Sequence, residues 1–326
     1  MHRLHAKIPP SSSTKSVKRN IHGVLLLDKP YGISSNKAVQ IAKRIFSAAK
    51  CGHTGTLDPM ASGLLPLCFG EATKFSSVLL GANKAYEATL KLGFMSTTGD
   101  AEGEISPLAA NNGNPTLSQC EQTLQHFIGR ILQIPPMYSA LKHQGKPLYS
   151  YARNGEIIER PAREVVIYAI QIKSLIDDEL QLSIQCGTGT YIRTLAEDIG
   201  KALGCGGAYL TQLKRTVIDC FDLSQAQTLQ ALQEEMDATA WDHYLLPIDS
   251  LLQAFPIVTL DAVAALHIVQ GRLISSPSDI SCIAEGDTVR LYNCRQQFLG
   301  LGEIVSEQKI IAKRLLANSE LLGIAV

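Results

Sequence analysis

Apolar and polar positions along the chain follow two periods. Gly23-Val24-Leu25-Leu26-Leu27 is an unbroken apolar run, as in a strand covered on both faces. Asp28-Lys29-Pro30-Tyr31-Gly32 follows it as a turn. Ser34 or Ser35 can cap the next helix, where Val39, Ile41, Ala42, Ile45 and Phe46 recur at helical spacing. Glu71 to Leu80 predicts another helix, ended by Gly81, and residues 84 to 95 predict a strand. The cluster Asn111-Asn112-Gly113-Asn114-Pro115 reads as a loop, and Leu117 to Ile128 as a helix. Further strands fit Val165 to Lys173 and Leu180 to Cys186. Gly187-Thr188-Gly189-Thr190 then turns into a helix with Ile192, Leu195, Ala196, Ile199 and Leu203 on one face. Gly204-Cys205-Gly206-Gly207 stops it.

Strands and helices mix here without regular βαβ alternation. That order predicts an α+β fold with a mixed, largely antiparallel sheet and flanking helices, over residues 21–253. From about Pro256 the texture changes. Turns at Glu285-Gly286-Asp287 and Cys294-Arg295-Gln296-Gln297 flank short strands at Thr288 to Tyr292 and Phe298 to Val305. A small β-rich domain over 254–326 is expected. Residues 1–20, polar and basic with Pro9-Pro10-Ser11-Ser12-Ser13-Thr14, predict a disordered arm.

Composition changes this picture little. No apolar run approaches the roughly 18 residues of a membrane span, and no apolar core follows the basic N-terminus as in a secretory signal. A cytoplasmic protein is expected, with no membrane partner. The eight cysteines are scattered without a Cys-x-x-Cys pair, which predicts buried reduced thiols rather than zinc or disulfides. The eight histidines are equally dispersed, with no His-Glu-x-x-His arrangement, so no metal is implied. The formal charge is zero, yet its distribution is uneven. Arg3, Lys7, Lys15, Lys18 and Arg19 give the first twenty residues a net +5. Residues 130–163 carry Arg130, Lys142, Lys146, Arg153, Arg160 and Arg163 against Glu156 and Glu159, a net +4. Residues 222–254 carry six acids and no Lys or Arg. Attraction for a polyanion depends on such local patches, although basic stretches can also be merely solvated.

The densest chemical signal is Gly52-His53-Thr54-Gly55-Thr56-Leu57-Asp58-Pro59-Met60-Ala61-Ser62-Gly63. It places Asp58 in a tight, glycine-flanked turn, with Pro59 biasing it away from helical geometry. Such an aspartate is either a turn former or a held reactive group. Thr54-Gly55-Thr56-Leu57 also occurs in the phosphorylation motif of P-type ATPases, but Gly52 stands where their aspartate would be. No Gly-x-x-x-x-Gly-Lys-[Ser/Thr] loop is present, and Gly187-x-Gly189 lacks the third glycine of a dinucleotide loop. The run and its continuation, Leu64-Leu65-Pro66-Leu67-Cys68-Phe69-Gly70-Glu71-Ala72-Thr73-Lys74, closely resemble the active-site segment of the TruB family of tRNA pseudouridine synthases. Four further motifs share the resemblance in order. They are Gly23-Val24-Leu25-Leu26-Leu27-Asp28-Lys29-Pro30-x-Gly32-x-Ser34-Ser35, Lys84-Ala85-Tyr86-Glu87-Ala88, Pro135-Pro136-x-Tyr138-Ser139-Ala140-Leu141-Lys142 and Gly189-Thr190-Tyr191-Ile192-Arg193-Thr194-Leu195. The C-terminal segment resembles the PUA-type RNA-binding domain that ends many members of that family.

The resemblance implies isomerisation of the T-loop uridine at tRNA position 55. That reaction breaks the bond from C1′ to N1 and joins C1′ to C5, with no redox change and hence no cofactor. An ionised carboxylate must act beside the sugar and base, and Asp58 matches the family's aspartate. Arg193 matches the arginine that pairs with it, and a fixed cation would keep the carboxylate charged in a dry pocket. The uridine must be flipped out and stacked, for which Tyr86 is the matched face and Tyr191 a second pocket tyrosine. His53 resembles the histidine that fills space left by flipped bases, and Leu213 an apolar lining residue; Lys29 is added on the substrate side. Lys142, Lys146 and Arg153, interleaved with tyrosines, resemble the insertion that clamps the tRNA T arm. A monomer with no protein partner is expected. Two alternatives stand: a dyskerin-like, guide-RNA-dependent synthase, and a non-catalytic RNA-binding or RNA-folding protein.

Overall fold

The computed structural model describes residues 18–108, 114–235, 240–275 and 283–317. Most of the expected arm, the Asn111-Asn112-Gly113 part of the expected loop, Cys282 and the chain after Ala317 lie outside them. The main body is an eleven-stranded mixed sheet. Its strand β1 (Gly23–Lys29), near one end of the sheet, is apolar on both faces because both are covered. On one side β1 runs antiparallel to β3 (Ala61–Phe69), from Gly23 opposite Phe69 to Lys29 opposite Gly63. Beyond β3 come Ala208–Ile218, parallel to it, then β4 (Lys84–Leu92), Glu179–Cys186, Arg163–Ile176 and Gly129–Gln133, all antiparallel. The short β2 (Cys51–His53) pairs with the end of β3.

One face of this sheet is covered by helices. Helix α1 (Ser35–Ile45) turns Ala38, Val39 and Ala42 inward, with Phe46 buried after its end. The helix Ile192–Ala202 buries Ile192, Leu195, Ala196 and Ile199 against Ala88, Leu90, Leu182 and Ile184 of the sheet. Gly200 lets it come close, since a Cβ there would stand 2.2 Å from the Gly207 carbonyl carbon. The opposite face of β1 and β3 buries Val24, Leu26, Leu64 and Cys68 in a second core with Phe75, Leu79, Leu251 and Leu252.

That second core also receives Leu301 from a five-stranded C-terminal sheet and Leu316 from just after its last strand. Its order is Ile257–Leu260, Thr288–Asn293, Phe298–Val305, Lys309–Leu315 and Ile274–Ser275. The helix Ala262–Val269 closes its own small core of Val258, Leu260, Ile268, Leu291, Ile304 and Ile310. No helix among the described residues is long and apolar enough to cross a membrane.

Four expectations need correction. The helix expected over Glu71 to Leu80 is two 3-10 turns, Gly70–Lys74 and Val78–Gly81. Ala72, Phe75 and Leu79, three and four apart, are buried in the second core, so their spacing suits either turn, and the chain breaks between the two segments at Phe75 to Ser77. The strand expected over 84 to 95 breaks at Gly93, whose φ is +79°, and resumes at Phe94. Arg19, at the end of the expected arm, is fastened: it bridges to Ala48, and its guanidinium pairs with Asp242. Cys220 and Cys294 are exposed, because both fall in turns between strands, whereas Cys68, Cys120, Cys186 and Cys205 are buried as expected.

Candidate active site

The loop between β2 and β3 carries Asp58, and every side of it is held. Thr54 N–H donates to the Pro66 carbonyl at 3.2 Å, and Ala61 N–H to the Asp58 carbonyl at 3.1 Å. From below, Arg215 donates from Nη2 to the Gly55 carbonyl at 3.2 Å and from Nε to the Leu64 carbonyl at 2.8 Å. This closeness requires Gly63, with φ +99°: a Cβ there would stand 2.3 Å from the Arg215 carbonyl oxygen.

Arg193 is the second residue of the helix Ile192–Ala202 and is only 6% exposed. Its Nη2 lies 3.0 Å from Asp58 Oδ2, and its Nε 3.7 Å from Asp100 Oδ2. It also donates from Nη1 to the Thr98 carbonyl at 2.9 Å and from Nη2 to the Tyr138 carbonyl at 2.7 Å. The guanidinium is therefore immobile. Burial pushes the Asp58 carboxyl above its ordinary pKa, while Arg193 and, more weakly, Lys29 oppose the rise and Asp100 adds to it. With Arg193 buried and the Asp58 side chain 36% exposed to the cavity, this charge-assisted pair holds Asp58 ready but costly to ionise.

Asp58 and Arg193 line a cavity of about 200 Å³ together with Tyr86, Tyr191, Leu213 and Ser139. Tyr86 sits on β4 between Ile184 and Arg215 of the neighbouring strands, and the Arg215 guanidinium partly offsets the effect of burial on its phenol. Burial raises the pKa of both tyrosines, so the two phenols stay neutral. Tyr191 precedes the helix, with its N–H donating to Gln133 Oε1 at 3.0 Å. An adjoining cavity of about 420 Å³ shares Asp58, Ser139 and Arg193 and adds His53, Glu102, Tyr149 and Arg153. His53 accepts from Gly55 N–H through Nδ1 at 3.3 Å, and burial lowers its pKa, as a neutral acceptor requires.

Three of the residues expected at the substrate side lie elsewhere. Lys29 is fully buried beneath the loop, donating from Nζ to the carbonyls of Ile33 at 2.7 Å, Pro30 at 2.9 Å and Pro59 at 3.5 Å. Burial brings its pKa down to about 8. It lines neither cavity. Lys142 and Lys146 stand on a two-stranded hairpin outside both, its turn made by Gln144 and Gly145 at positive φ. Arg153 ends the helix Leu148–Arg153, its guanidinium 5.4 Å from the centre of the Tyr149 ring.

Sequence reasoning missed Asp100, Glu102 and Arg215. Asp100 is buried, accepts from Thr98 Oγ1 and the Glu102 amide, and shares Arg193 with Asp58. The polar turn Ser96-Thr97-Thr98-Gly99-Asp100 was the available signal, since nothing in it is apolar although its acid is buried. For Arg215 the signal was an arginine inside the otherwise strand-like Leu213-Lys214-Arg215-Thr216-Val217.

Comparison with known proteins matches family models to residues 43–253 and 256–316. The model of the TruB family pseudouridylate synthase N-terminal domain matches residues 43–192. That of the tRNA pseudouridylate synthase B C-terminal domain matches 193–253, and that of the pseudouridine synthase II TruB C-terminal region matches 256–316. The tRNA pseudouridine synthase B of Nitrosospira multiformis is 57% identical over 304 residues, covering 92% of this chain and 96% of that protein. Its counterpart from Nitrosomonas europaea is 51% identical over 302 residues, covering 92% and 98%. A solved structure described as a Cbf5-Nop10-Gar1 complex superposes with a TM-score of 0.68 at 26% identity, covering 90% of this chain and 84% of that one. With sheet, loop and matched models in register, the chain belongs to the TruB family of pseudouridine synthases.

Proposed function

We propose that this chain converts the T-loop uridine of tRNA to pseudouridine as a stand-alone enzyme. The observation that carries the reading is Asp58 paired at 3.0 Å with a buried arginine on the wall of a cavity that also presents Tyr86 and Leu213. A flipped uridine entering there meets a carboxylate on one side and an aromatic face on the other. Ionised Asp58 either attacks C1′ or removes a sugar proton; both routes release N1 and let C5 rejoin C1′. Arg193 keeps Asp58 ionised and oriented. His53, in the adjoining cavity, is placed to occupy room left by the flipped base. Arg153 with Tyr149 extends the site toward the basic hairpin of Lys142 and Lys146, where T-arm phosphates would lie. Residues 254–326 serve as a PUA-like RNA-binding domain, and the protein acts in the cytoplasm as a monomer.

The 57% identity to a protein named for tRNA favours the stand-alone reading over the guide-RNA-dependent alternative. One experiment decides. Purified protein is incubated with unmodified tRNA transcript, without guide RNA, and pseudouridine is mapped by nucleotide. Modification confined to the T loop is expected. A requirement for guide RNA, or binding without modification, would replace this reading with one of the alternatives.

A further inference from the structure

The opening motif ends in two serines that do different things. Ser34 caps α1, its side-chain oxygen accepting from the Lys37 amide at 3.2 Å. Ser35, only 2% exposed, reaches across to the Asp58 loop. Its hydroxyl donates to the Leu57 carbonyl at 2.9 Å and accepts from the Leu57 amide at 2.8 Å. These two bonds hold the backbone on both sides of one Cα. The Leu57 carbonyl shares a rigid peptide plane with the Asp58 amide, so fixing it fixes where the Asp58 side chain starts. Beyond Asp58, the Pro59 carbonyl accepts from the Gly32 amide at 2.8 Å, and proline's ring holds φ. Both anchors come from the segment between Lys29 and Ser35. A hydroxyl can donate and accept at once, whereas a methyl does neither and a thiol does both weakly.

We infer that Ser35 is a positioning residue for Asp58: its two-way hydrogen bond to Leu57 fixes the peptide plane from which the carboxylate is aimed at Arg193 and the reacting sugar. Ser35 acts through the loop and does not touch the reacting atoms. The inference rests on the reading of Asp58 as the reactive group. Productive geometry is lost within about an ångström of misplacement, at a cost on the order of a hundredfold in rate.

The test compares Ser35→Ala, Ser35→Cys and Ser35→Thr with wild type. Cysteine preserves the volume if alanine impairs folding, and threonine preserves the hydroxyl. Single-turnover pseudouridine formation on saturating tRNA should fall about tenfold to a hundredfold in the alanine and cysteine variants, with Kd within about twofold. Exchange of the Leu57 amide with solvent deuterium should speed up in the same two proteins without tRNA present. Threonine should restore both readouts. A wild-type rate in the cysteine variant, or unchanged Leu57 exchange, overturns the inference. So does a folded threonine variant as slow as alanine, which would assign the effect to packing. Wild-type protein inactive on tRNA would instead overturn the functional reading, and is told apart because it needs no variant.

Discussion

Asp58 is held between opposed influences. Burial and the neighbouring Asp100 favour its neutral acid, while Arg193 and Lys29 favour the carboxylate. Both routes open to Asp58 need the carboxylate, so activity should be lost as pH falls through this raised pKa. Replacing Arg193 with methionine removes the largest influence holding it down. The acidic limb of single-turnover rate against pH should therefore move upward; an unmoved limb with weakened tRNA binding would make Arg193 a phosphate contact. Asp58→Asn should abolish pseudouridine formation while leaving tRNA affinity within about threefold. It should also melt no lower than wild type. An acid whose pKa rises on folding binds protons more readily folded than unfolded, so its ionised form opposes folding at neutral pH. A clearly lower melting temperature would show that the Asp58–Arg193 pair stabilises more than burial costs. At this scale Asp58, Tyr86 and Arg193 could be singled out only through the motifs that carry the family resemblance, since an arginine at a helix start or a tyrosine in a strand is ordinary by itself; the fold brings the three to one cavity. Asp100 was not legible, because its burial depends on Arg193, which is 93 positions away in sequence and reaches it only in the folded chain.

Among elements, those with a clean period were the readable ones. The helix Ile192–Ala202 buries four apolar residues on one side, and β1 is an unbroken apolar strand, so each matches its pattern. Residues 70–81 misled because their apolar spacing is near enough to both 3.0 and 3.6, and only contact with the second core selects the tighter turn. The basic insertion is a different case, since its charge was legible but its geometry was not. Its hairpin sets Lys142 and Lys146 away from both cavities, whereas the short helix brings Arg153 and Tyr149 to the larger one. The two kinds of position should separate experimentally. Lys146→Ala should reduce the slope of log affinity against log salt by about one unit, with bound-state chemistry unchanged. Arg153→Ala should weaken binding and also slow the reaction. A Lys146→Ala slope equal to wild type would remove that residue from the RNA footprint.

For the whole molecule, the question is what fixes the C-terminal sheet to the catalytic body. Part of the acidic stretch 222–254 is tied to other segments: Asp242 pairs with Arg19 at the surface, and Asp249 accepts from the Tyr292 hydroxyl. The rest of the attachment is apolar and backbone-mediated. Phe298 packs edge-on to Phe75, with ring centres 5.8 Å apart, and lies 5.5 Å from Tyr292. Lys74 Nζ donates to the Leu315 carbonyl at 3.1 Å, and Arg314 Nη1 to the Lys74 carbonyl at 3.2 Å. None of the contacts from one sheet to the other was legible beforehand, because each joins segments more than forty positions apart whose local patterns satisfy their own cores first. Phe298→Ala should therefore loosen the joint without unfolding either sheet. Phe298 is only half-buried, so the loss should be about 2 to 3 kcal/mol, below the cost at a fully buried phenylalanine. Calorimetry should then resolve two transitions where wild type shows one, the earlier belonging to the C-terminal sheet. If that sheet helps hold tRNA, the variant should bind tRNA more weakly yet modify bound tRNA at the wild-type rate. A single transition at the wild-type temperature would mean that the hydrogen bonds through Lys74, Arg314 and Asp249 hold the two sheets together without the ring.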